Sequence, residues 1–97
     1  MKLQTSKQFT ALYHSVMGDE NLDLYEKVIL SELIKGYQWF TEKQGEEFAP
    51  SMQKLSVYTG ISRGLVEDIF FSLRDKGYIS VKESVDSRGY DRYVVTV

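Results

Sequence analysis

Four cations in the second half of the chain, Lys54, Arg63, Arg74 and Arg88, are spaced so that each falls near the end of a predicted element. Arginine offers a rigid fork of donors and lysine a point charge, so both suit oxyanions such as phosphate or carboxylate. Two hydroxyls accompany them. Ser51 and Ser62 each stand directly ahead of an apolar helical pattern, where a helix leaves backbone amides free to hold an anion. Catalytic chemistry has far less to work with. The chain has one histidine, His14, and no cysteine. That excludes disulfides and thiolate metal sites, and it argues against a histidine-based triad. The carboxylate pair Glu46-Glu47 has no histidine or glycine-rich cradle beside it and reads as a solvated loop. The expectation is a protein with no catalytic residue, no metal site, no cofactor and no evident small-molecule ligand.

At 97 residues the chain is expected to form one domain, long enough to bury more than half of its unfolded surface. No apolar run reaches membrane-spanning length and the start lacks a signal-peptide core, so a cytoplasmic protein is expected. The net charge of −2 is unevenly spread. Residues 1–47 hold five Lys/Arg against eight Asp/Glu, whereas residues 48–97 hold seven against six. A binding face depends on local sign more than on the sum.

The elements that position these groups follow from periodicity. Residues 1–20 carry Phe9, Leu12, Tyr13 and Val16 at helical spacing, with Phe9, Ala11 and Tyr13 also alternating as in a strand; the segment is expected to pack on the domain. Asp23 and Glu26 form a capping-box pattern for a helix from about Leu24 to Lys35, with Leu24, Val28, Leu33 and Ile34 in its apolar stripe. Gly36 is expected to end that helix with a positive φ. Tyr37, Trp39 and Phe40 read as core pieces or a short strand, and Phe48 as a return to the core.

Ser51 is expected to cap a second helix with Met52, Leu55 and Tyr58 inward. Thr59-Gly60-Ile61 is the turn, Ser62 caps a third helix to about Lys76, and Gly77 stops it. Two β-rich runs then flank a turn near residues 86–89. Small Ser56 and the turn glycine Gly60, bracketed by Leu55, Ile61, Val66 and Ile69, are what two closely crossing helices require. On the third helix Leu65, Val66, Ile69 and Leu73 form the predicted buried stripe, with Phe70 at its flank. Arg63, Gly64, Glu67, Phe71 and Arg74 lie opposite. The predicted class is α+β: a winged helix-turn-helix spanning 1–97, with the helix pair at 51–76 and the wing hairpin at 78–97.

Three stretches, "LDLYEKVILSELIKGYQWF", "FAPSMQKLSVYTGIS" and "VEDIFFSLRDKGYISVKE", resemble the winged-helix domain of plasmid and phage replication initiators and replisome organisers, over about residues 9–97. The most telling pieces are Pro50-Ser51, Gly60-Ile61-Ser62 and "LRDKGYI". Two departures stand out. Members of that group usually follow the turn serine with a threonine-valine pair and then basic or polar residues. This chain has Leu65-Val66 and then the acidic Glu67-Asp68. The resemblance implies binding to double-stranded DNA in replication, partition or transcription control.

Two readings follow. In the first, a homodimer reads duplex DNA: Ser62, Arg63 and Gly64 meet bases and phosphate, Ser51, Lys54 and Arg74 meet flanking phosphates, Arg88 reaches from the wing, and Glu67 accepts from a cytosine amine. In the second, Phe71 points away from the core and, with Asp68, forms a dimer or partner interface, giving a protein-interaction adaptor. The size and layout are similar to centromere-binding proteins of tubulin-type plasmid partition systems, whose reading helix contributes to dimerisation.

Overall fold

Asp23 and Glu26 form the expected capping box. The Glu26 amide donates to Asp23 Oδ1 at 2.8 Å and the Asp23 amide donates to Glu26 Oε1 at 3.0 Å. They start α1, Leu24–Tyr37, in a computed structural model that describes residues 14–97. Of the apolar anchors in the first segment, Phe9, Leu12 and Tyr13 lie outside the described residues. Residues 14–17 are helical, and Val16 is buried in the core.

α1 buries Ile29, Leu30, Leu33 and Ile34. Leu24, expected in that stripe, is exposed, because nine residues at about 100° each place it half a turn from Leu33. Gly36 does not end the helix, and its φ is not positive. Its role is contact: a Cβ there would overlap the buried Phe48 ring. The helical path continues without a break into a π-helical segment, Gln38–Lys43. Trp39 and Phe40, expected in the core, therefore stand 51% and 41% exposed. Gly45, with φ +70°, provides the reversal expected at Gly36.

Ser51 caps α2, Met52–Thr59, accepting from the Lys54 amide at 3.2 Å. Met52 and Leu55 are buried, but Tyr58 is 75% exposed, a correction to its inward placement. The corner is held by side chains. Ser56 Oγ donates to the Ile61 carbonyl at 2.6 Å. Thr59 Oγ1 donates to the Leu55 carbonyl at 2.7 Å and accepts from the Ile61 amide at 3.2 Å. Gly60 takes φ +75° between them.

α3, Arg63–Asp75, buries Val66, Ile69, Phe70 and Leu73. Leu65 is exposed and Phe70, expected at the flank, is fully buried, so the buried stripe is rotated toward Phe70. At Gly77 the Tyr78 amide donates to the Leu73 carbonyl and the Gly77 amide to the Arg74 carbonyl, a Schellman stop. β1, Ser80–Val85, and β2, Asp91–Thr96, pair antiparallel with Val81 opposite Val95 and Val85 opposite Asp91. On its other edge β2 is tied to the helical half by an isolated bridge, the Val95 amide donating to the Phe48 carbonyl at 2.8 Å. The architecture is α+β, helices followed by a C-terminal hairpin, around a core shared by all of them.

Glu26 does more than cap. Its carboxylate is buried and accepts from Lys76 Nζ at 2.8 Å and Ser72 Oγ at 2.9 Å, fastening the start of α1 to the end of α3. Tyr78 Oη donates to Asp19 Oδ2 at 2.5 Å beside it.

Candidate nucleic-acid interface

The amides that open α3 belong to Arg63, Gly64 and Leu65, which have no carbonyl one turn back within the helix. Ser62 occupies the cap position with extended backbone, yet its hydroxyl makes no capping bond, so it is available at the exposed end of the helix. Gly64 has nothing within 4 Å of where a Cβ would be. No part of the described chain crowds this helix start.

Arg63 is exposed, and its Nε lies 3.4 Å from Glu67 Oε1, one turn along. That pairing accounts for one member of the adjacent acidic pair Glu67-Asp68 on this helix. Glu67 neutralises its own helix's arginine while holding the guanidinium against α3. Asp68 is exposed and further round the helix.

Phe71 does not point away from the core. It is half-buried, edge-on to Phe70 at 5.2 Å and to Tyr93 of β2 at 5.4 Å, with the Arg74 guanidinium 4.9 Å over its ring. The hairpin folds back over the C-terminal half of α3, and Tyr93 covers the ring that periodicity alone leaves outward. Arg74 also pairs with Asp75, Nη2 to Oδ1 at 2.9 Å. Arg63 and Arg74 share a side of α3 to within about 20° but sit about 16 Å apart along its axis. They therefore do not form one cluster.

Ser51 and Lys54 lie at the exposed start of α2. Arg88 is at the hairpin tip, its side chain 78% exposed, 3.9 Å from Asp86 and 5.3 Å over the Tyr90 ring. Asp86 builds that tip by accepting from the Tyr90 amide at 3.0 Å and the Arg88 amide at 2.8 Å. These bonds hold its carboxyl below the usual carboxylate range. Tyr90 went unremarked in the sequence. Its position one residue after Gly89, beside a tip arginine, was the available signal.

Glu47, half of the carboxylate pair, is ion-paired with Arg92 at 2.9 Å. Among the described residues no group of three or more His, Cys, Asp or Glu could hold a metal ion, and no helix is long and apolar enough to cross a membrane. The chain matches no protein-family model, and comparison with curated proteins and with solved structures likewise gives no match.

Proposed function

We propose that this chain is a winged helix-turn-helix protein that binds double-stranded DNA in a sequence-specific manner as a homodimer, in replication, partition or transcription control of plasmid or phage type. The observation that carries the reading is the corner between α2 and α3. Gly60 is left-handed, and Ser56 and Thr59 lock the turn, so the uncrowded N-terminus of α3 projects with Ser62, Arg63 and Gly64. A hairpin ending in an exposed arginine follows directly.

In this reading α3 enters the major groove N-terminus first. Arg63 exchanges its carboxylate partner Glu67 for a guanine edge, and the freed Glu67 can accept from a cytosine amine. Ser62 and the free amides take a phosphate, Lys54 and Ser51 take the neighbouring one, and Arg88 reaches the backbone or minor groove. Arg74, held by Asp75 and Phe71 at the far end, contributes a flanking phosphate contact. Half-covered Phe71 supplies too little exposed ring for the adaptor reading, which leaves DNA as the better-supported partner.

Selection from a random duplex library at low and moderate salt tests this. Recovery of a repeated half-site is expected. Retention of nothing at low salt, where phosphate attraction is strongest, would overturn the proposal.

A further inference from the structure

An open groove of about 530 Å³ runs between the end of α1, the π segment and the start of α2. Phe48 and Leu55 form its floor, and Trp39, Phe40 and Tyr58 stand along it. We infer that this groove is a binding site for a small, flat, apolar monoanion of the aromatic carboxylate or sulfonate class.

Its size falls in the range of small-molecule sites, which are mostly apolar with a few placed polar groups. The Phe40 and Phe48 rings stack at 5.7 Å and 16°, giving a flat aromatic face against which a further ring can lie. Three large rings left in solvent around one concavity are an unusual use of apolar surface for a domain this small.

Charge selects the ligand's sign. Among the lining residues Glu32 is cancelled by Lys35 at 3.3 Å, which leaves Lys54 as the unbalanced charge at the lip. Lys43 adds a second cation beside the groove, 5.1 Å over the Trp39 ring, so the edge of the groove favours an anionic ligand. Glu46, exposed on the loop that leads into Phe48, disfavours a second anionic group on the same ligand. The site stands independently of the DNA proposal. If that proposal also holds, the ligand engages the Lys54 ammonium and competes with a phosphate there.

Trp39 is the only tryptophan, so its emission reports on this groove. The probe is 1-anilinonaphthalene-8-sulfonate, titrated into the full chain with excitation of Trp39. Saturable one-to-one quenching is expected, with a Kd on the order of 10–100 μM for a ligand of this size. Lys54→Gln should raise the Kd about tenfold, through loss of one charge-assisted contact. Uncharged N-phenyl-1-naphthylamine should bind the parent about tenfold more weakly for the same reason. Tyr58→Ala, at an exposed position, should also weaken binding while leaving the far-ultraviolet circular dichroism unchanged. Non-saturating binding, saturation without Trp39 quenching, an unchanged Kd in either variant, or equal affinity for the uncharged analogue would overturn the assignment. So would a concentration-dependent dimer in sedimentation that shifts Trp39 emission to the blue, since a second copy would then fill the groove.

Discussion

Arg63 and Gly64 are neighbours on the same turn and test the proposed interface in different ways. Arg63→Ala removes a side chain whose contact within the chain is an exposed pair with Glu67, worth under about 1 kcal/mol to folding. Its loss should nevertheless lower affinity for the selected duplex by about 1–3 kcal/mol and relax preference at one base pair, read by competition binding. Gly64→Ala has open space for its methyl and should raise stability by up to about 1 kcal/mol through helix propensity. If DNA backbone approaches there, the same variant binds DNA more weakly. A more stable protein with undiminished binding would place the DNA elsewhere. Phe71→Glu, which would leave folding intact were the ring outward, should instead destabilise the domain. It puts a carboxylate against Phe70 and Tyr93, and a drop in the urea midpoint would report it.

At the scale of elements, two glycines show that one residue type serves different physics. Gly60 adopts φ +75° with nothing near its missing Cβ, so Gly60→Ala should cost about 1–2 kcal/mol from backbone conformation alone. Gly36 is right-handed inside a helix, where alanine is intrinsically favoured. Gly36→Ala should still destabilise by about 1–3 kcal/mol, because the added methyl meets the Phe48 ring, which the core holds in place. Pairing it with Phe48→Leu should recover part of that loss, measured by urea unfolding of the four proteins of the cycle. In sequence Gly36 reads as a helix terminator and Gly60 as a turn residue, both calling for positive φ, and only the partner across the fold separates them.

For the whole molecule, the Glu26 carboxylate joins α1 to α3. Burial opposes its ionisation, yet the bonds from Lys76, the Asp23 amide and Ser72 outweigh that, and the carboxyl sits below its ordinary value. A carboxyl depressed in the folded state contributes stability that is present above its unfolded pKa. That stability is lost as pH falls through the folded one. The domain should therefore lose stability on acidification below about pH 4.5, the region of an ordinary glutamate. Lys76→Met should lower stability by about 2 kcal/mol at neutral pH, less than for a fully buried pair because Lys76 is 39% exposed. It should also flatten the acid limb of the stability profile. An unchanged acid limb in that variant would show that Glu26 is not the group responsible.

The local grammar of this chain was legible without coordinates. Asp23 with Glu26, Ser51, the Ser56–Gly60 corner, Gly77 and the Asp86–Gly89 turn each act through groups within a few residues, so spacing alone determined them. What packs against what was decided by the tertiary structure. Periodicity defines a helix's faces but not which segment, distant in sequence, covers them. It therefore left Phe71 outward, where Tyr93 lies on it, and put Trp39, Phe40 and Tyr58 in the core, where they line a groove. Glu26 and Lys76 are fifty residues apart, and Gly36 and Phe48 are separated by the π segment; in each case the function of one residue is set by the other. Such contacts arise from chain reversal, and short-range sequence pattern carries no term for it.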